Sequence, residues 1–323
     1  MNTYIYGAGS YGEWVYRTLE QKVMGFLDQN DAMDTFLGLP VRRAEDKEFS
    51  REDSTVVVAL VLPYKEREGV FAFIRECGFE KVVDAQSIRC HYVSYDGSPD
   101  ADGMWLGIDL FADEHSTDIY SKHAVAHLGR DYQDCIESIG SVQYFPDDVP
   151  FSKGYERFVD CGAYTGDTIE KLIEIKGTPQ AIAVFEPVGF EIISQLWGKA
   201  IPEIYRFPCA VSDKTEMISM TVEGGSSHVG GDTRVQSVAL DDVIPTFAPT
   251  FIKMDIEGAE MKALRGARML ISRYRPDLAI SVYHCVNHLW DVPLLINSWG
   301  LGYKFWLKCH NSFTMETVLY ATT

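Results

Sequence analysis

RFVDCGAYTGDT, residues Arg157–Thr168, lies near the midpoint of a 323-residue chain, and its reading decides the fold. Phe158–Val159 is an apolar run that ends in an acid, Asp160. Gly162 and Gly166 follow, and the pattern predicts a helix directly after them, with Asp167–Thr168 as its small cap. A buried parallel strand, a tight glycine turn and a helix N-terminus bring bare backbone close to a ligand, because glycine has no Cβ to hold it off. Taken alone, the pattern fits any nucleotide-binding α/β protein.

Downstream, strand and helix signals alternate. Ala181–Phe185 is an apolar run ending in Glu186–Pro187, and Ile192–Trp197 reads as helix. Arg206–Val211 leads to Ser212–Asp213, while Met217–Val222 and Val235–Leu240 read as added strands. Phe251–Met254 is a buried strand ending in Asp255–Ile256–Glu257–Gly258. Helical segments at Glu260–Leu264 and Ala267–Tyr274 precede the strand Leu278–Tyr283, which ends at His284. After a helix at His288–Ser298, the runs Tyr303–Leu307 and Thr317–Tyr320 have no helix between them and predict an antiparallel hairpin at a sheet edge. Gly224–Gly231, GGSSHVGG, reads as a flexible loop able to act as a lid. Its Ser226, Ser227 and His228 form no triad, because no positioned acid can be named.

Asp160, Glu186, Asp255 and His284 therefore all stand at carboxyl ends of predicted strands. In a doubly wound sheet those ends face one crevice, where ligands bind. A single acid there defaults to a helix cap. Four polar residues in register point to a site.

Upstream, Tyr4–Tyr6 runs into Gly7–Ala8–Gly9–Ser10–Tyr11–Gly12, a GxGxxG turn, and then a helix at Glu13–Gln21. Val23–Leu27 is closed by Asp28, where an acid reads a ribose hydroxyl. Val56–Leu60, a helix at Lys65–Cys77 and Lys81–Val83 complete a small Rossmann-like βαβαβ unit. Two readings stand: a bound nucleotide or nucleotide-sugar at Gly7–Gly12, or a turn kept for packing. Asp28 comes earlier than the usual ~20 residues after the fingerprint, which weighs against a true dinucleotide. The domains expected are 1–93, a connector with short helices over 94–153, and 154–323. SYDGSPDADG is rich in turn residues; Ser116–Ala126 and Asp131–Ile139 read as helices. Val142–Pro146 carries aromatics that line a pocket or pack between domains.

A net charge of −18 and no basic patch argue against nucleic acid and anionic membrane partners. No apolar run approaches ~18 residues and MNTYIYGAG lacks a signal-peptide pattern. The seven cysteines are odd in number, scattered and without a CxxC pair. Free thiols in a reducing cytoplasm fit that usage, and a zinc site does not.

VDCGAYTGDT, FEP, LDDV, FIKMDIEGAE and SVYH, with a terminal TVLYA, resemble the FkbM-type S-adenosylmethionine-dependent methyltransferases, in that family's motif order over roughly 141–323. GAGSYG, GFLD, GLPV and VVVAL resemble the N-terminal domain of nucleotide-sugar-modifying enzymes. The first resemblance implies a class I methyltransferase fold: a doubly wound, seven-stranded α/β sheet with its last pair antiparallel, here preceded by the smaller Rossmann-like domain. It implies that Asp160, Gly162 and Gly166 hold the methionine end of S-adenosylmethionine, together with Cys161, Ala163, Tyr164, Asp167 and Thr168. Glu186, beside Pro187, would take the ribose hydroxyls, and Ala210–Val211 would border the adenine. Asp255 and Glu257 would face the methyl group and an acceptor, a sugar hydroxyl or other small molecule. His284 is the natural general base, since a histidine titrates near working pH, and Asp255 is the alternative. Asp255, Glu257 and His284 or His288 have no diagnostic metal spacing, and no metal is assigned. A homodimer is compatible with the chain. Two other functions compete: a nucleotide-binding regulatory module without chemistry, and an NAD-dependent oxidoreductase built on the N-terminal fingerprint.

Overall fold

The computed structural model describes residues 2–19, 22–30, 33–60, 62, 64–85, 101–129, 135, 138, 140–188, 201–223, 226–229, 232–311 and 313–323. The predicted helix at Ile192–Trp197, most of Asp131–Ile139 and most of SYDGSPDADG lie outside them. The chain divides into two units: Met1–Tyr92 with Asn311–Met315, and Val93–His310 with Glu316–Thr323.

The first unit is built on strands β1 (Asn2–Tyr6), β2 (Val23–Leu27), β3 (Thr35–Phe36), β4 (Leu39–Arg42), β5 (Ser54–Val58) and β6 (Lys81–Asp84). Their order is β3-β4-β2-β1-β5-β6. All neighbours run parallel except β3 and β4, a short hairpin made by the GLPV segment that periodicity did not reveal. Helices α1 (Ser10–Thr18) and α2 (Tyr64–Glu76) supply the crossovers β1–β2 and β5–β6. The glycine turn is committed to packing. A Cβ on Gly12 would lie 2.0 Å from the Gly7 carbonyl oxygen, and one on Gly7 would lie 2.7 Å from that of Ala59. Asp28 spends one carboxylate oxygen on the turn, accepting the Ala8 N–H at 2.7 Å.

In the second unit, α3 (Ala101–Gly107) and α4 (Glu114–Gly129) precede a seven-stranded sheet. That sheet comprises β7 (Arg157–Cys161), β8 (Ala181–Phe185), β9 (Glu203–Phe207), β14 (Phe251–Met254), β15 (Asp277–Ser281), β16 (Lys304–Cys309) and β17 (Thr317–Thr322), in the order β16-β17-β15-β14-β7-β8-β9. The strands β9, β8, β7, β14 and β15 are parallel. The predicted edge hairpin is present, with β17 antiparallel to both β16 and β15. Parallel strands covered on both faces need apolar side chains on both. Val159, Ile252 and Ile280 fill one core, while Phe158, Phe251 and Ala279 fill the other.

A second sheet, β10-β13-β11-β12, is formed by Ala210–Val211, Glu216–Glu223, Ser226–Val229 and Thr233–Val238 in chain order β10 to β13. This corrects two expectations. Arg206–Val211 is split between two sheets, with Ala210–Val211 pairing parallel to β13. Ser226–Val229 is a strand antiparallel to β11 and not a loop; its Ser-rich, glycine-flanked composition concealed a hairpin partner. The chain continues through α5 (Asp167–Lys176, before β8), α6 (Leu240–Val243), α7 (Glu260–Gly266), α8 (Arg268–Tyr274) and α9 (His288–Ser298).

From β7 the chain moves outward to β8 and β9, then returns to build β14 and β15 on the other side of β7. The winding therefore reverses between β7 and β14, where a doubly wound sheet opens its ligand crevice. Gly162 sits at that point with φ 80°, and a Cβ on it would lie 1.9 Å from the Asp255 carbonyl oxygen. Gly162→Ala is expected to combine about 1–2 kcal/mol of left-handed strain with about 1–3 kcal/mol of overpacking. A melting temperature lowered by at least about 5 °C checks this, and an unchanged melt contradicts it.

Candidate active site

The loop after β7 is held almost wholly by backbone contacts. The Gly162 and Ala163 N–H groups donate to the Phe185 carbonyl at 2.9 and 3.2 Å, and Gly166 N–H closes onto Ala163 O at 2.7 Å. Helix α5 begins at Asp167 behind Gly166, which caps it in the left-handed conformation without a side-chain bond. The predicted Asp167–Thr168 cap is thus replaced by a glycine, because the turn needs φ 84° there. Cys161 and Ala163 are buried, so they offer a ligand backbone only, whereas Tyr164 is 53% exposed.

Asp160 points into the Phe158 face of the sheet and is 0% exposed. Lys253, its direct neighbour in register on β14, lies 3.0 Å from its Oδ1 and also donates to the Gly162 carbonyl. Burial pushes the Asp160 carboxyl up to about 6 despite the opposing pull of Lys253. Asp160 therefore fixes the turn through Lys253 and does not itself reach the crevice. Glu186, one strand over, uses Oε2 to accept the Tyr164 N–H at 2.8 Å and Oε1 to accept the Val188 N–H at 3.0 Å. Burial raises its pKa, and these two N–H bonds oppose the rise. Each oxygen keeps a lone pair for a diol. Pro187 is half-buried beside it, Ala210 is half-buried and Val211 is buried on β10.

Asp255 stands directly after β14. Its Oδ2 accepts the Tyr144 hydroxyl at 2.7 Å, and its Oδ1 accepts the Tyr283 hydroxyl at 3.3 Å. The aromatic segment Val142–Pro146 is accordingly part of the site: Tyr144 and Phe145 are buried, and the Lys253 ammonium lies 5.3 Å from the Tyr144 ring centroid. Glu257 has φ 55°, a left-handed conformation rare for a non-glycine residue and typical of functional turns.

His284 is enclosed by acids. Its Nδ1 is 2.9 Å from Glu260 Oε1, and its Nε2 is 3.5 Å from Asp255 Oδ1 and 3.6 Å from Glu257 Oε2. Glu260 is completely buried, lies 3.2 Å from His288 Nδ1 through its Oε2, and accepts the Ile256 N–H at 3.0 Å. Burial alone would lower the His284 pKa, but Glu260, Asp255 and Glu257 overcome it and hold it at about 9. The expectation that His284 titrates near neutrality is thus corrected, since the surrounding carboxylates keep its proton on. Burial likewise works against His288, yet it is raised to about 10 by Cys285 and Glu260. Burial would raise Glu260, and the two histidines instead drive it far below its usual range. Glu316, bonded to Gln143 Nε2 at 2.8 Å, is raised chiefly by burial and by Asp255.

The pH dependence follows. Both histidines are held above their ordinary 6.5, so their stabilisation is complete below pH 6.5 and lost as pH rises through about 9 to 10. Glu260 is held below its ordinary 4.5, so its share is complete above pH 4.5 and lost on acidification. In EDTA-containing buffer the melting temperature should fall between pH 6.5 and 10, and this slope should flatten in His284→Gln. A wild-type melt that is level across that range contradicts the ion-pair cluster.

Sequence reasoning named Asp160, Glu186, Asp255, Glu257 and His284, and the last three lie together. It missed Lys253, Glu260, Tyr283 and Glu316, and offered Tyr144 only within Val142–Pro146, as lining a pocket or packing between domains. Lysine inside the apolar run FIKM was the one available signal, since a buried ammonium needs a partner.

Residues 160–298 match the family described as Methyltransferase FkbM domain. A crystal structure of Methyltransferase FkbM from Methylobacillus flagellatus KT shares the fold at a TM-score of 0.73 and 24% identity, covering 99% of this chain and 89% of that one. Among curated proteins, none matches the chain. Among the described residues, no helix is long and apolar enough to cross a membrane.

Proposed function

We propose that this chain is an FkbM-type methyltransferase that uses S-adenosylmethionine to methylate a hydroxyl oxygen, on a sugar or glycosylated small molecule. The observation that carries the reading is the reversal of sheet winding between β7 and β14, with Glu186 and Asp255 on the loops to either side. The residues present fit the cofactor. Glu186 is a carboxylate already oriented by two backbone N–H groups at the end of β8, suited to a ribose diol. Tyr164 and the Gly162–Gly166 turn border it, and Ala210–Val211 would lie towards the adenine. When bound, S-adenosylmethionine supplies a methyl group already activated by its sulfonium.

The chain's own task is alignment and proton handling. Asp255 orients the acceptor hydroxyl and takes its proton, held in place by Tyr144 and Tyr283. His284, protonated near neutrality, lies beside Asp255 and Glu257 and tempers their charge. Glu260 keeps that imidazole in position. For the first unit, with Asp28 and both outer glycines engaged in packing, a structural turn is the reading supported best.

Calorimetric titration with S-adenosylmethionine tests the reading, with NAD and nucleotide-sugars as controls. Saturable binding that weakens at least tenfold in Glu186→Ala is expected. Binding of NAD or a nucleotide-sugar in its place would move the active centre to Gly7–Gly12.

A further inference from the structure

We infer that Asp255, Glu257 and His284 form a divalent-cation site at the acceptor end of the crevice. Two carboxylates flank one imidazole nitrogen: Nε2 lies 3.5 Å from Asp255 Oδ1 and 3.6 Å from Glu257 Oε2. These separations are too long for hydrogen bonds. They are close to the ~3.0–3.4 Å between neighbouring ligands that each lie about 2.1 Å from a shared ion. The His284 side chain is only 6% exposed, and its Nε2 is buried without a hydrogen-bond partner while aimed between the two acids.

The far side of the ring has the arrangement that metal-binding histidines use. Glu260 Oε1 lies 2.9 Å from Nδ1, so the ring is held from behind with Nε2 facing the gap. Glu260 is itself fixed by the Ile256 N–H, so the imidazole is held before any ion arrives. Asp255 and Glu257 are 25% and 29% exposed, which leaves one side open for water or an acceptor oxygen.

A mixed nitrogen–oxygen set of this kind suits Mn²⁺ or Zn²⁺ better than Ca²⁺ or Mg²⁺, which take all-oxygen sets. An ion there offsets the acid excess of Asp255, Glu257, Glu260 and Glu316. It also draws an acceptor hydroxyl towards Asp255 and lowers that hydroxyl's pKa. The role in acceptor activation rests on the methyltransferase reading. The binding site does not.

The test uses the full chain, stripped with EDTA and dialysed, titrated with Mn²⁺ alone and with Zn²⁺ alone. Calorimetry measures affinity and stoichiometry, and electron paramagnetic resonance reads bound Mn²⁺. One ion per chain is expected. Affinity should weaken at least tenfold in Asp255→Asn, Glu257→Gln and His284→Gln. Glu257 is partly exposed, so its variant keeps the test valid if the others misfold, as far-ultraviolet circular dichroism would show. Absence of binding by either ion, or unchanged affinity in Glu257→Gln, overturns the proposal. S-adenosylmethionine is titrated into the same stripped sample: binding there without Mn²⁺ or Zn²⁺ binding rejects the cation site alone. The converse rejects the methyltransferase reading alone.

Discussion

Asp255→Ala is expected to lower turnover by about 10²–10⁴-fold while S-adenosylmethionine still binds, the range over which a positioned acid–base group acts. The separation of the two effects comes from the strand ends. Asp255 follows β14, whereas Glu186, which would hold the ribose, follows β8 with β7 between them. Asp255 is also the meeting point of Tyr144 and Tyr283, with His284 Nε2 3.5 Å away, so its removal leaves two hydroxyls without their shared acceptor. Truncation there combines lost chemistry with lost orientation. Tyr144→Phe should reproduce only the orientation part, roughly tenfold for the ~1.5 kcal/mol of one hydrogen bond to a charged group. Steady-state rates with calorimetric affinities on the same preparations check both variants. Full turnover in Asp255→Ala removes the residue from the mechanism.

Lys253→Met is expected to have the largest effect on stability, about 3–5 kcal/mol, because it strands a buried carboxylate. Asp160 is 0% exposed and Lys253 2%, so water cannot substitute for the lost ammonium. The loss should depend on pH in a definite direction. The folded-state pKa of Asp160 is already raised above its ordinary 3.8, and removing Lys253 raises it further. A carboxyl shifted upward favours folding below its unfolded pKa, and that support is lost as pH rises through the folded one. The variant should therefore regain stability from pH 7 towards pH 4. Lys253→Met/Asp160→Asn should recover most of the loss at neutral pH, since no charge is left unpaired. Denaturant melts at the two pH values measure this. Equal destabilisation at both, with no recovery in the double variant, would show that the ion pair is not the cause.

The parts of this site legible in the sequence are those where an apolar run stops at a polar residue. Asp160, Glu186, Asp255 and His284 were found that way, since strand length and burial are local properties. Tyr144, Glu260 and Glu316 are positioned by register and by α7 and the edge hairpin, so their approach to Asp255 has no signature in local periodicity. Lys253 is intermediate: its presence in an apolar strand is visible, but its partner is named only once β14 pairs with β7. The four-residue strand Ser226–Val229 and the hairpin of β3 and β4 were hidden because glycine, serine and proline there outweigh β-propensity. The helix cap at Gly166 was misassigned to Asp167 because a left-handed turn residue needs no side-chain signal.

Gly162 against the Asp255 carbonyl bears on how such an enzyme can be altered. The loop expected to grip the donor and the loop expected to receive the acceptor touch through main-chain atoms, at a separation that admits no side chain. A shift in either must displace the other. Laboratory evolution of acceptor scope should consequently succeed through Tyr144, Tyr283 and Glu316, whose side chains approach Asp255 from elsewhere, and stall when it redraws the 255–258 backbone. Donor affinity and acceptor preference would then drift together in variants of that segment and separately in all others.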